Sequence, residues 1–361
     1  MKCSTTSAIR RVLAILVATL VVFGASPALA ENSPFAGERV VTVMTQNVYF
    51  GADLAPLLGA SSPGEFTAAA ANAYLMALDS DFEGRASAIA DSIAAHEPML
   101  IGIQEATVWS TGPFLDPAPA DTVTVDLVAL IIDELAQRDL GYTAVVTAHG
   151  FDAEVPAYNG IFLGDVRLQI ADVILARSDL RTGQLKIEGT ETGRYQTLAA
   201  IPLPTGQVLP FYRQWAAVDV KTHGKQFRFV TTHLEVLDQG IRTLQANELI
   251  AEASGSRPTI FVGDFNDAVG EGGAADLLDS SGLTEVWPTV NPGQIGATAG
   301  QAADLRNETS LLTRRIDMVF ASSGWQPISA VVVGEEPDDK TASGLWPSDH
   351  AGVVATLRLE R

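Results

Sequence analysis

Acidic, amide and imidazole groups close six separated apolar runs of this chain: Gln46-Asn47, Gln104-Glu105, Thr232-His233-Leu234, Gly263-Asp264-Phe265-Asn266, Arg315-Ile316-Asp317 and Ser348-Asp349-His350. Groups of these types suit the hydrolysis of a phosphoester, which poses three problems at once. Charge on the nonbridging oxygens must be neutralised, a water must be aimed and deprotonated, and the leaving oxygen must receive a proton; metal, base and acid are the usual suppliers. Rigid strands that deliver such groups to one sheet edge would solve all three together.

Taken singly, each segment has an alternative reading. Glu105 and the amide oxygen of Asn47 are hard oxygen donors suited to magnesium, manganese or calcium, yet a strand-end Glu also serves as a cap and Asn47 could simply form an Asx turn before Gly51. Asp264 and Asn266 stand two positions apart, hence on one side if the strand geometry continues. One could polarise water while the other holds a phosphoryl oxygen; an Asp turn is the alternative. His233 ends the run Phe227 to Val230, where an imidazole either satisfies a backbone carbonyl or protonates a leaving group. Asp317 beside His350 would fix the imidazole's tautomer and hold it charged against a pentacoordinate transition state. Ser348-Asp349-His350, set before Val353-Val354-Ala355, is the most specific of the six.

In this order the segments resemble the endonuclease/exonuclease/phosphatase superfamily, the deoxyribonuclease I-like fold, over about Val40 to Leu359. The resemblance implies an α/β (α+β) fold, a four-layered sandwich of two central mixed β-sheets flanked by helices. It also implies Mg2+-dependent cleavage of a phosphoester, with Mn2+ or Ca2+ as alternative ions. Carried over, Glu105 is the principal metal ligand, with Asn47 and Asp349 near the ion. Asp264 orients or deprotonates the water, and Asn266 contacts phosphate. His350, paired with Asp317, stabilises phosphoryl charge, and His233 assists the leaving oxygen. Arg213, in Tyr212-Arg213-Gln214-Trp215, lies where related enzymes set an arginine against phosphate, although a strand-edge salt bridge explains it equally.

Two departures bear on substrate. Ala106-Thr107 follow Glu105 where nucleases of this type often carry an arginine, and His233 has no evident acidic partner, Gln169 and Glu235 being the candidates. The expected substrates are phosphodiesters of a nucleic acid, phospholipid or sphingolipid. A phosphomonoesterase, or a secreted binding protein that retains the fold without turnover, are the alternatives. No nucleophile elbow and no His-Glu-x-x-His string is present, which argues against a serine hydrolase or zinc protease.

The elements that must position these groups follow from periodicity. Val40 to Thr45, Met99 to Ile103, Tyr142 to Thr147, Gln169 to Ala176, Gln214 to Val220, Gln226 to Thr232, Thr259 to Val262, Ile316 to Phe320, Ala330 to Val333 and Val353 to Leu359 read as strands. His223-Gly224 supplies a hairpin turn. Phe66 to Met76, Arg85 to His96, Leu127 to Leu140 and Ile241 to Ala253 read as helices. Thr107 to Val125 is expected to be a loop insertion, in which Trp109 and Phe114 could meet a lipid or a base or simply pack on the core. Asn291 to Ala303 is expected to be a mobile surface loop. His149-Gly150 ends a strand and could line the cleft, with a loop histidine the expected reading, and His96 is expected in the last turn of a helix.

Arg10 and Arg11, the apolar run Val12 to Phe23 and Ala28-Leu29-Ala30 make residues 1–30 an expected signal peptide, with one domain over 31–361 and export from the cell. The single Cys3 falls in that leader, so the mature chain would have no thiolate ligand and any metal would be held by oxygen and nitrogen. Without Lys2, Arg10 and Arg11 the chain has 20 basic against 43 acidic residues, a net −23 with His neutral. Long-range attraction to nucleic acid or anionic lipid is therefore not expected, nor a stable nucleic-acid partner, although a cation and a few arginines can reverse the sign within a cleft. A monomer without a transmembrane segment in the mature chain is expected, and the sequence offers no clear exposed apolar hairpin for membrane docking.

Overall fold

A computed structural model describes residues 39–202 and 208–360; the expected leader, 1–30, lies outside them. The β-branched runs assemble into two mixed sheets. The first contains β1 (Val40–Asn47), β2 (Leu100–Gly112), β3 (Thr122–Asp126), β4 (Tyr142–Tyr158), β5 (Leu163–Arg177), β14 (Trp325–Val333) and β15 (Gly352–Leu359). Its order is β14-β15-β1-β2-β5-β4, with β3 also paired to β2. The second contains β6 (Lys186–Arg194), β9 (Gln214–Thr222), β10 (Lys225–His233), β11 (Thr259–Asp264), β12 (Thr284–Glu285) and β13 (Asp317–Ala321), in the order β12-β13-β11-β10-β9-β6. A separate ribbon joins β7 (Ala199–Pro202) to β8 (Val208–Phe211).

Among the described residues, seven α-helices cover the sheets: α1 (Ala55–Leu58), α2 (Pro63–Leu78), α3 (Phe82–His96), α4 (Leu127–Gln137), α5 (Gln239–Ala253), α6 (Ala274–Ser280) and α7 (Val286–Val290). Ser62, Asp126 and Asp238 cap α2, α4 and α5, each accepting a hydrogen bond from an amide of the first turn. Alternation along the strands separates three apolar layers. Ile101, Val173 and Leu175 meet Ala86, Ile89 and Ile131 of the helices on the first sheet. Val43, Leu100 and Ile174 meet Val218, Phe227, Ile260 and Val319 between the sheets. Val230 and Phe261 meet Leu249 and Leu278 on the far side. The result is a four-layered sandwich, helices, sheet, sheet, helices, in which the inter-sheet layer is closed to water on both faces.

Within each sheet one pair of strands is parallel, β1 with β2 and β10 with β11. The register of these pairs decides where chemistry can occur: Asn47 lies opposite Gln104, His233 opposite Asp264, and Asp264 opposite Asp317 of β13. Gly102 allows the sheets to approach near this end, since a Cβ there would lie 2.5 Å from Thr231 Oγ1 and from a methyl of Val262. Gln104 then reaches across, its Nε2 donating to Thr231 Oγ1 at 2.8 Å.

Several expectations are corrected. β2 does not stop at Glu105 but runs on to Gly112, with β3 beside it, so much of the expected insertion from Thr107 is sheet; Trp109 packs in the core and donates to the carbonyl of Phe50. Its alternating Thr107, Trp109 and Thr111 pair with β5, a signal that the prolines further on obscured. His149 sits in β4 next to a bulge and not in a loop. The glycine-rich stretch 291–303 is held down: Thr298 is buried, its Oγ1 accepts from the amides of Ile316 and Asp317, and Ala299 bridges to both Arg314 and His350. The β4–β5 hairpin does expose apolar side chains at its tip, Tyr158, Leu163 and above all Ile161 at 86%.

Candidate active site

The six segments converge at one end of the inter-sheet layer. Asn47 ends β1, and its Nδ2 lies 3.2 Å from Glu105 Oε1 and 3.1 Å from Asp264 Oδ2. Its Oδ1 meanwhile accepts from the amide of Tyr49, so the Asx turn of the alternative reading and the bridging role coexist. Glu105 occupies a bulge where Gln104 and Glu105 together oppose a single residue of β5, Asp172, and its φ of 57° lies in the left-handed region. The bulge turns the carboxylate toward Asn47 and the amide of Phe50, 3.1 Å from Oε2. A strand end is therefore not what aims Glu105.

Asp264 is the hub. Its Oδ1 accepts from the amide of Asn266 at 2.8 Å, while Oδ2 lies 3.3 Å from His233 Nε2 and 3.9 Å from His350 Nε2. The strand ends here, and Asn266, with a φ of 53°, turns back so that its Nδ2 lies 3.0 Å from His233 Nε2 and donates to the carbonyl of Leu234. Asn266 and Asp264 thus share one side without the strand continuing. Asp317 Oδ2 lies 2.8 Å from His350 Nδ1, the pairing expected. Ser348 fixes the segment that carries Asp349 and His350, donating to the carbonyl of Asn47 at 2.8 Å and accepting from the amide of His350.

Charge sorts the two imidazoles. Burial works against a cation at His350, but the carboxylates of Asp317, Asp349 and Asp264 outweigh it and hold the ring protonated well above the ordinary histidine range. His233 goes the other way: burial, with the charges of Arg213 and His350, pushes it well below that range, so it is neutral. Burial pushes Glu105 up to about 7, with the charge of Asp349 adding to the effect. Asp349 is raised by burial as well, opposed by His350 and Arg85.

The donor set fits a hard cation at Glu105 and Asp349. Both carboxylates are partly open to the cleft, and ionising both in this enclosure is unfavourable without added positive charge. Asp264, Asp317 and His350 bring donor atoms within 4.8 Å of one another, and without an ion the carboxylates pair with the His350 cation.

Neither candidate partner of His233 reaches it. Gln169 donates to Asp152, and Glu235 is buried against Arg213, accepting from the amide of Leu237; His233 Nδ1 has no hydrogen-bond partner among the described residues. Arg213 is buried, its Nε 4.0 Å from Glu235 Oε2 and its guanidinium 4.6 Å from the ring centroid of Phe211. It lies close enough to influence His233 and Asp172.

Two residues escaped sequence reading. Arg85 is fully buried under the site and donates to the carbonyls of Val48, Tyr49 and Pro347 and to Ser80 Oγ, joining the segments that follow Asn47 and precede Ser348. In the sequence it is only a basic residue in a helical pattern. Asp172, inside an apolar strand, is fully buried and takes 3.0 Å from Gln214 Nε2; a carboxylate in the run Ile170 to Leu175 was the one available sign.

The sequence profile of the Endonuclease/Exonuclease/phosphatase family matches residues 44–350. The chain belongs to that family. Solved structures agree on the fold. A family protein from Bacteroides thetaiotaomicron is 18% identical, with a TM-score of 0.54 over 90% of this chain and 99% of that one. Another, from Beutenbergia cavernae, is 21% identical at a TM-score of 0.53, over 89% and 72%. The mannosyl-6-phosphatase of Bacteroides thetaiotaomicron is 18% identical at 0.53, over 88% and 99%. A comparison with curated proteins finds no significant match.

Proposed function

We propose that this family member is a secreted, divalent-metal-dependent phosphoesterase that cleaves a phosphodiester by in-line attack of water. One observation carries the reading: Asn47 bridges Glu105 and Asp264, Asp264 also meets both His233 and His350, and His350 meets Asp317, so residues of six segments share one small volume. A Mg2+ ion held by Glu105 and Asp349 beside Asn47, with Mn2+ or Ca2+ as substitutes, would neutralise phosphoryl charge. Asp264 accepts the proton of the attacking water, and the Asp317-paired His350 cation faces the charge that grows on the phosphoryl oxygens. His233, kept neutral, donates a hydrogen bond at the leaving oxygen, which takes its proton from solvent, while Asn266 offers its amide to phosphate. Arg213 adds positive potential behind His233.

The likeness to a phosphatase of this fold keeps phosphomonoesters as a second reading. The exposed tip at Tyr158, Ile161 and Leu163 keeps lipid phosphodiesters in view, and no helix among the described residues is long and apolar enough to cross a membrane. Purified protein should hydrolyse at least one of bis-p-nitrophenyl phosphate, p-nitrophenyl phosphate, plasmid DNA and sphingomyelin when magnesium is supplied, and stop on chelation. Inactivity toward all four with metal restored would end this reading. Sequencing of the mature N-terminus from the culture medium should begin just after residue 30.

A further inference from the structure

One buried side chain stands behind the Asp317–His350 pair and joins the two segments that carry it. Thr298 is fully buried, and its Oγ1 accepts from the amides of Ile316 and Asp317 at 3.1 and 3.0 Å. Its main chain closes on the other segment. The carbonyl of Thr298 accepts from the amide of Ala351 at 2.7 Å, and the amide of Gln301 donates to the carbonyl of Asp349 at 3.2 Å. Ala299 bridges to Arg314 and to His350. The stretch around Thr298 is thus a clasp between the start of β13 and the loop of Asp349 and His350, across which Asp317 Oδ2 lies 2.8 Å from His350 Nδ1.

The threonine hydroxyl still has a hydrogen to give. Two amides fill the acceptor sites of its oxygen, and neither bond uses its own hydrogen. Left unpaired in the interior, that hydrogen would cost free energy. A matching acceptor is close by. Asp317 is fully buried; His350 takes Oδ2, whereas Oδ1 has no hydrogen-bond partner among the described residues. Burial raises the Asp317 carboxyl, and the charge of His350 and the Thr298 hydroxyl act against it, so the hydroxyl lies within reach of the carboxylate.

We propose that Thr298 is a positioning residue of this site: it holds Asp317 in register with His350 and gives its hydroxyl hydrogen to the second oxygen of the Asp317 carboxylate. A carboxylate held at one oxygen turns easily, since the terminal torsion of Asp is broad, and a ring hydrogen-bonded to it turns as well. Held at both oxygens, it fixes the plane and tilt of the His350 ring. The assignment rests on the phosphoesterase reading and deepens it, because Thr298 acts on the reaction only through Asp317 and His350.

Thr298→Val and Thr298→Ala remove the hydroxyl and Thr298→Ser keeps it; of the first two, the variant with native circular dichroism is carried forward. The proton NMR signal of His350 Nδ1–H, assigned as the downfield ring signal that His350→Ala lacks, reports the pair without turnover. It should stay in place in Thr298→Ser and move upfield when the hydroxyl is gone. On a hydrolysed phosphoester, loss of the hydroxyl should lower kcat about tenfold with KM nearly unchanged, the effect of a reacting group held less well. Thr298→Ser should recover most of that loss. In an Asp317→Ala background the same change should cost no further turnover, because no carboxylate is left to orient, whereas a packing role costs the same in both backgrounds. Additive losses, an unmoved NMR signal, or a loss in Thr298→Ser as large as without the hydroxyl would overturn the assignment. A signal that depends on the hydroxyl in a protein that hydrolyses no phosphoester would overturn the phosphoesterase reading alone and leave the clasp assigned.

Discussion

Asn47 Nδ2 lies 3.1 Å from Asp264 Oδ2, a contact that joins the two sheets through residues 217 positions apart. The same nitrogen serves Glu105, so one amide spaces two carboxylates that would otherwise repel. Asn47→Ala removes both bonds and the acceptor for Tyr49. Stability should fall by about 1–3 kcal/mol, the cost of leaving buried polar groups unpaired, with turnover falling as well. Urea denaturation monitored by tryptophan fluorescence measures the first; unchanged stability would show that the bridge is incidental.

Asp264→Ala and His350→Ala each remove a group proposed to act on the phosphoester. Turnover should fall about 10²–10⁴-fold, as for a general base or an electrostatic stabiliser, while circular dichroism stays native. Near-normal rates in both variants would mean that other residues do the chemistry.

Asp317→Asn removes the carboxylate nearest the cationic ring, 2.8 Å from His350 Nδ1. The pKa of His350 is raised by its carboxylate neighbours, so taking one away must lower it. The alkaline limb of the kcat/KM profile should therefore move to lower pH than in wild type. A limb that stays in place would separate His350 from the pH-sensitive step.

Glu105 gives apo protein a pH signature. Its folded value stands near 7 against an ordinary 4.5, so its contribution to stability is present below 4.5 and lost as pH rises through about 7. In chelator, the difference in melting temperature between wild type and Glu105→Gln should change across that window, with wild type losing ground at the alkaline end. Added magnesium should raise the wild-type melting point more at pH 8 than at pH 5, because only the ionised carboxylate binds it. A magnesium effect independent of pH would place the cation elsewhere.

Arg85 positions the site from beneath. Arg85→Met strands the carbonyls of Val48, Tyr49 and Pro347 in the interior and removes the cation that offsets Asp349. The loss should be about 3–5 kcal/mol by equilibrium denaturation, in line with breaking a buried charged network. Arg85→Lys should recover only part of it, since an ammonium cannot reach several diverging carbonyls from one planar fork. Full recovery by lysine would reduce the role of Arg85 to its charge.

What could be read in the sequence was local. Apolar runs of period two or near 3.6 fix strands such as Val40–Asn47 and Thr259–Asp264 and helices such as α3 and α5, because burial of one face needs only neighbours in the chain to be arranged correctly. The polar residues that end those runs are the ones that gather at one end of the inter-sheet layer, and the order of six such segments identified the fold. Glu105 was read as the end of a strand because Gln104-Glu105 breaks the apolar run. The break is a bulge, which depends on the partner strand and has no signature of its own.

Tertiary structure alone decided which ionisable groups carry charge and which segments are fixed. Two histidines with the same intrinsic chemistry become a cation and a neutral ring because one faces three carboxylates and the other faces Arg213 and His350 in a dry interior. The stretch 291–303 looks mobile in composition yet is pinned by Thr298 to the amides of Ile316 and Asp317. Arg85, Asp172 and Gln214 acquire roles only where distant strands and loops meet. Sequence spacing carries periodicity, which is short-ranged; electrostatic potential and hydrogen-bond closure depend on distances between residues hundreds of positions apart, and those exist only once the sheets have packed.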